Sequence, residues 1–205
     1  MPKATILCGS AKPDGVTMAM CEAAREHLEE MGYRTDVVVL SDLEIGHCTD
    51  CNGCRGSGCV IDDEMSILYE AFGTSDIWIM ATPIHFSGPS SLMKTSMDRF
   101  QPWWYDKTLP HPSRSLGLMC GGSDEPLFRN TVSIFRAFSI TTGMEWMGHL
   151  EVTSTDRNGP TGVREKVFGF LDSVITDRTG ILPSWHLVQG HGPNGRKVSR
   201  KGSRP

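Results

Sequence analysis

Ala4-Thr5-Ile6-Leu7-Cys8 runs into Gly9-Ser10-Ala11-Lys12-Pro13-Asp14-Gly15-Val16-Thr17, and Met20, Ala23, Ala24, Leu28 and Met31 follow at helical spacing before Gly32. A short apolar run that ends at a glycine has the pattern of a strand buried on both faces of a parallel sheet. The spaced apolar residues give the next segment one buried face and predict a helix over 17–31, with Gly32 as its stop. Strand, loop and helix in this order form the repeating unit of a wound α/β protein.

The unit recurs along the chain. Strands are expected over 35–40, 77–81, 116–120 and 145–152, and helices over 63–72, 90–100, 128–142 and 163–179. Asp63 is placed to cap the first of these helices and Gly73 to end it. No internal repeat interrupts the alternation. With the strand at 4–8, five strands separated by helices predict a doubly wound parallel sheet. In such sheets ligands bind beyond the carboxyl ends of the strands, near the reversal of strand order.

Three loops at those ends are suited to a ligand. The first, Gly9 to Thr17, offers the hydroxyls of Ser10 and Thr17, the Lys12 ammonium and the free N–H groups of a helix N-terminus, a set that suits a phosphate. It is neither a Walker A loop nor G-x-G-x-x-G. The second, Thr82-Pro83-Ile84-His85-Phe86, offers backbone amides to the polar edge of a flat heterocycle, and His85 or Phe86 to its face. The third, Gly121-Gly122, lets backbone approach a ring closely. Each loop alone also reads as an ordinary turn; their convergence is the stronger signal.

Between the second strand and second helix lies Cys48-Thr49-Asp50-Cys51-Asn52-Gly53-Cys54-Arg55-Gly56-Ser57-Gly58-Cys59, a C-x2-C-x2-C-x4-C run. Glycines 53, 56 and 58 are expected to let this loop turn tightly. Thiolates are the usual ligands of iron–sulfur clusters, and ferredoxins use nearly this spacing. Zinc, whose four-sulfur sites usually come as two separated pairs, is one alternative, and metal-free thiols are the other. Cys8, Cys21 and Cys120 sit in apolar patterns and read as small core residues.

At 205 residues the chain is long enough for one domain with a sizeable core, and 39% hydrophobic with 21% charged residues is ordinary for a globular protein. No run approaches the ~20 apolar residues of a membrane helix. The first residues lack the apolar core of a signal peptide, so a cytoplasmic location is expected, where thiols stay reduced. The net charge of −4 is uneven: residues 190–205 hold five basic residues and no acidic one. Taking those five from the 20 basic residues, against 24 acidic ones, leaves the rest at −9. The boundary is therefore drawn at 1–189 for the domain and 190–205 for a basic tail. The tail's composition favours a disordered, solvated segment over one that contacts nucleic acid or an acidic protein.

Several of these features occur together in one family. Gly9-Ser10 with Gly15-Val16-Thr17, the cysteine run with Val60-Ile61-Asp62-Asp63-Glu64-Met65, and Thr82-Pro83-Ile84-His85-Phe86 come in that order. Met93-Lys94 with Met97-Asp98-Arg99 and Cys120-Gly121-Gly122 follow. Over roughly residues 3–150 the chain resembles the flavodoxin-like NAD(P)H-dependent FMN reductases, and with the cysteine run it is similar to their iron–sulfur flavoprotein branch. The resemblance implies a flavodoxin-like sheet of order 2-1-3-4-5 and a non-covalently bound FMN. Ser10, Lys12, Gly15, Val16 and Thr17 would hold its phosphate; Thr82 to Phe86 and Gly121-Gly122 would hold its ring. Cys48, Cys51, Cys54 and Cys59 would ligate a 4Fe–4S cluster. It further implies NAD(P)H or ferredoxin as electron donor, a homodimer or homotetramer, and no protein acid or base in the chemistry. The chain departs from the family at His85, where an aromatic is usual, and in the segment Trp103-Trp104-Tyr105. That segment reads as core or interface packing in preference to a flavin cover. A cluster-free FMN or quinone reductase, and a metal-binding interaction module without turnover, are the competing functions.

Overall fold

The computed structural model describes residues 1–56 and 58–175. The expected helix residues 176–179, the domain limit at 189 and the basic tail 190–205 lie outside the described residues. The strands are β1 Lys3–Cys8, β2 Arg34–Val39, β3 Ile77–His85, β4 Gly88–Pro89, β5 Arg114–Cys120 and β6 Glu145–Val152. The helices are α1 Val16–Glu30, α2 Met65–Thr74, α3 Ser91–Asp98, α4 Pro102–Tyr105, α5 Arg129–Thr141, α6 Thr155–Asn158 and α7 Val163–Ile175.

Five parallel strands lie in the order β2-β1-β3-β5-β6, and the two-residue β4 pairs antiparallel with the end of β3. Leaving β4 aside, this is the expected 2-1-3-4-5 order; the sheet has six strands because the chain folds back as a hairpin after His85. From β1 the chain goes outward to β2, then crosses to the far side of β1 to form β3. The reversal therefore falls between β1 and β3, where a wound sheet parts to leave a crevice.

The two faces of the sheet carry separate apolar layers. Met20, Ala24 and Leu28 of α1 and Val167 and Leu171 of α7 cover one face over Ile6 and Ile79. Leu68 and Phe72 of α2, Met93 and Met97 of α3, and Phe135 of α5 cover the other over Leu7 and Met80. Phe72 lies 4.8 Å from Phe100 and 5.1 Å from Trp103 by ring centroids. Truncating such a buried ring typically costs about 3–5 kcal/mol. Trp103 is part of this aromatic cluster, and its indole N–H donates to the Pro110 carbonyl at 3.0 Å, so it is a core residue.

Local signals explain most boundaries. α1 stops where Gly32 takes φ +85°, with Gly32 N–H bonded to Glu29 O and Tyr33 N–H to Leu28 O, a Schellman closure. Asp63 Oδ1 accepts the Met65 N–H at 3.1 Å and caps α2. Gly73 does not end α2, which continues to Thr74. A Cβ there would lie 3.3 Å from Pro110, so glycine gives room to the neighbouring chain. Among the described residues no helix is long and apolar enough to cross a membrane.

Candidate functional site

A cleft of about 770 Å³ opens beyond the carboxyl ends of β1, β3 and β5. Residues 9–12 and 14–17 form one wall, Pro83, Ile84 and His85 another, and Cys120 at the end of β5 and Gly122 just beyond it contribute to a third. Three separate loops thus meet where the strand order reverses.

The first wall is built for an anion. α1 begins after Gly15 without a side-chain cap, so the first N–H groups of the helix have no intrahelical acceptor. The helix dipole adds partial positive charge at the same place. Lys12 is exposed at the rim. The Ser10 hydroxyl accepts the Lys12 N–H at 3.2 Å and shapes the loop. Gly15 sits at φ −80°, a conformation open to any residue. Val16 is half-buried and packs on the α1 core layer, leaving its backbone for the cleft. The Thr17 hydroxyl is buried and shares a 3.3 Å hydrogen bond with Cys120 Sγ, which joins the helix start to the end of β5. Cys8 and Cys21 are fully buried and Cys120 nearly so, as expected of core residues.

The second wall is a hairpin. β3 extends past residue 81, and His85 pairs with Gly88 across Phe86 and Ser87, which take φ +48° and +63°. Two successive positive values give the primed turn that matches strand twist, usually with Asn-Gly. A bulky aromatic there is strained. Phe86 is fully exposed and does not line the cleft. Thr82 is also off the cleft surface: buried, its hydroxyl accepts the Ser90 N–H at 2.9 Å and donates to Pro83 O at 3.0 Å. Ser90 Oγ donates to Gly9 O at 2.6 Å and accepts the Met93 N–H at 3.2 Å. One hydroxyl thereby caps α3 and ties the hairpin to the first loop.

The third wall depends on missing side chains. A Cβ at Gly121 would overlap Pro126, and one at Gly122 would overlap the Asp156 carboxylate. Gly122 lines the cleft, whereas Gly121 lines the adjoining cavity that shares Ile84, Gly122 and Asp156 with it. Ser90, Ser91, Leu92, Thr155 and Asp156 also line the cleft and lie outside the three loops expected from the sequence. Ser90 was legible as the polar residue before a helix; Thr155 and Asp156 belong to a four-residue helix too short to leave a period.

The cysteine loop has a different construction. Cys48, Cys51, Cys54 and Cys59 line one small cavity of about 30 Å³, with Gln101 and Tyr105 at its side. Among the described residues no three His, Cys, Asp or Glu side chains are gathered closely enough to hold a metal ion. The tight turns fall on Asp50 (φ +50°), Asn52 (φ +63°) and Gly58 (φ +87°), not on Gly53 or Gly56. Asp and Asn accept that conformation because their short polar side chains bond locally. Burial and then the neighbouring Cys59 push the Cys54 thiol up. Burial also acts to raise Cys59, but a hydrogen bond from the Ile61 backbone and the Arg99 guanidinium outweigh it and hold that thiol below its ordinary value. Tyr105 lies under the Arg55 guanidinium, 5.5 Å from ring centroid to carbon, and Trp104 is exposed. The aromatic segment therefore divides between core, surface and cysteine cavity. Four soft thiolate sulfurs around one cavity are a donor set suited to an iron–sulfur cluster or to zinc.

Known proteins share these features. A family model described as NADPH-dependent FMN reductase matches residues 2–159. An iron–sulfur flavoprotein of Archaeoglobus fulgidus is 34% identical over 108 residues, covering 52% of this chain and 49% of that protein. One from Methanosarcina thermophila is 34% identical over 98 residues, covering 47% and 51%. The match thus spans about half the length of these relatives. Among solved structures, the NAD(P)H:quinone oxidoreductase from Methanothermobacter marburgensis superposes with a TM-score of 0.65 at 14% identity, covering 82% of this chain and 94% of that one. An FMN-dependent NADH-azoreductase from Bacillus anthracis gives 0.60 at 14% identity, covering 84% and 97%. At such identities the two structures share the fold.

Proposed function

The chain belongs to the NADPH-dependent FMN reductase family, and on that premise we propose that it is a flavin-dependent electron-transfer oxidoreductase using FMN and a 4Fe–4S cluster. The observation that carries the reading is the meeting of the α1 N-terminus, the end of β3 and Gly122 on one cleft. The iron–sulfur part is supported by four cysteines lining one cavity and by the iron–sulfur flavoprotein relatives.

The residues divide the work. The N–H groups at the start of α1, with Ser10, Lys12, Gly15, Val16 and Thr17, hold the FMN phosphate, since an uncapped helix start favours an anion. Pro83, Ile84, His85 and Gly122 flank the ring. Thr82, Phe86 and Gly121 act through the backbone they set: a pinned strand end, a tight turn and a close approach. Cys48, Cys51, Cys54 and Cys59 are the cluster ligands. When bound, FMN supplies two-electron and the cluster one-electron chemistry. NAD(P)H or a ferredoxin is the proposed electron donor, and a homodimer or homotetramer the proposed assembly. No side chain is assigned as acid or base; the protein binds, orients and excludes water.

The test is the flavin, iron and acid-labile sulfide content of the chain purified without oxygen. All three are expected together. Cys51→Ala should lose iron and sulfide and keep FMN, because the cleft and the cysteine cavity have no lining residue in common. FMN without iron in the wild type would leave a cluster-free FMN or quinone reductase. Absence of FMN would remove the whole reading.

A further inference from the structure

We propose that Arg99 is the positioning residue of the cysteine loop, closing both of its stems and donating to the sulfur of Cys59, and that in the cluster-bearing protein this raises the cluster's reduction potential. The second half rests on the cluster reading above; the first does not.

Arg99 follows the last turn of α3 and is only 1% exposed. A guanidinium so deeply buried must be paired, and here every pairing lies on the loop or its stems. Nη1 donates to Gly46 O at 2.7 Å and to Asp63 Oδ2 at 2.6 Å. Nη2 donates to Asp63 Oδ1 at 3.0 Å, to Cys59 Sγ at 3.4 Å and to Ile61 O at 3.5 Å. Gly46 stands two residues before Cys48, and Ile61 two after Cys59. One planar fork therefore holds the incoming stem, the outgoing stem and a cysteine at once.

The neck is reinforced around this fork. Asp63 Oδ2 also accepts the Gly46 N–H at 2.9 Å. Glu44 N–H donates to Glu64 Oε2 at 2.5 Å, and Glu64 N–H to Glu44 O at 3.3 Å. Tyr69 OH donates to the Arg99 carbonyl at 2.5 Å and fixes the backbone that presents the guanidinium. A residue serving only core stability needs its carboxylate partner and little else. Arg99 instead leaves its Nε without a partner while both terminal nitrogens serve the loop. Lysine has the charge but not the fork, so it cannot reproduce the bidentate Asp63 contact and the Cys59 contact together.

The expected effect on potential follows from charge. A reduced cluster carries one more negative charge than an oxidised one, so an N–H donor on a ligand sulfur favours reduction, and hydrogen bonds to sulfur are a recognised control of cluster potential. Removing the donor should shift the potential negative.

Three variants of the full chain, purified without oxygen, test this. Arg99→Gln should speed amide hydrogen exchange over 47–62 by about tenfold or more, because a buried ion pair is lost, while residues 9–17 exchange as in the wild type. Arg99→Lys should keep most of its iron, and its cluster should titrate at a more negative potential when followed by electron paramagnetic resonance. If Arg99→Gln does not fold, Asp63→Asn opens the same neck and serves in the exchange measurement. Wild-type exchange over 47–62 in these variants overturns the closure. A wild-type potential in iron-replete Arg99→Lys overturns the tuning. A wild type without iron or sulfide sinks the cluster reading instead, and the exchange result still decides whether Arg99 closes the loop.

Discussion

The cleft and the cysteine loop stand at the same end of the sheet, yet they are held by different means. The cleft is made of backbone: strand ends, a helix start and two glycines continue directly from the buried core. The loop is made of side chains: Arg99 and Asp63, brought from two helix boundaries, fix a segment that has little regular structure of its own. A site of the first kind fails when atoms are added. One of the second kind fails when a charge or a hydrogen bond is taken away.

The largest expected effect is therefore on the loop. Asp63→Ala leaves the Arg99 charge buried without its partner, which typically costs about 3–5 kcal/mol. Denaturant titration should show that loss, while FMN affinity in the absence of denaturant stays near wild type. A parallel loss of FMN binding would mean that the two regions form one unit. Acid should open the same difference by degrees. Hydrogen bonding to Arg99, ahead of every other influence, holds the Asp63 carboxyl below its ordinary range. Its contribution is present above the unfolded value near ~3.9 and is lost as pH falls through the lower folded one. Stability measured from about pH 5 downward should fall in the wild type, with a shallower fall in Asp63→Asn.

The converse change comes next. Gly121→Ala forces a methyl into Pro126 and should cost about 1–3 kcal/mol by overpacking. Fluorescence titration should show weaker FMN binding, and thiol labelling of Cys48, Cys51, Cys54 and Cys59 should be unchanged. Ser90→Ala removes the α3 cap and the link to Gly9 O, with an expected loss of about 0.5–2 kcal/mol in thermal denaturation and a modest drop in FMN affinity. Thr17→Ala is expected to do least. It gives up one hydroxyl contact to Cys120, worth about 1 kcal/mol net, while its backbone N–H stays available to the phosphate; an FMN affinity more than about tenfold weaker would show that the hydroxyl meets the phosphate as well.

Most of the fold was legible because it is periodic. The apolar spacing of Met20, Ala24 and Leu28, the buried run of β1 and the stop at Gly32 each act within a few residues of chain. The cleft loops were legible for a related reason: they occupy the ends of those same strands. The hairpin was not, since Phe86-Ser87 lacks the usual Asn-Gly signature and its register with Gly88 must enforce the positive φ values. Glycines 53 and 73 show that a glycine can serve a neighbour's bulk as readily as its own dihedral freedom: a Cβ would lie 2.6 Å from Val60 at the first and 3.3 Å from Pro110 at the second.

What the sequence determined by itself is the alternation of strand and helix and a set of four closely spaced thiols. These rest on local preference and on burial of one face at a time. Only the tertiary structure decided that Arg99 would reach Asp63 across 36 positions and Cys59 across 40, that Thr82 would serve the frame instead of the surface, and that Asp156 would join the cleft. A hydrogen bond between distant residues leaves no period in the chain, and its partners are chosen by which helices the core happens to bring side by side.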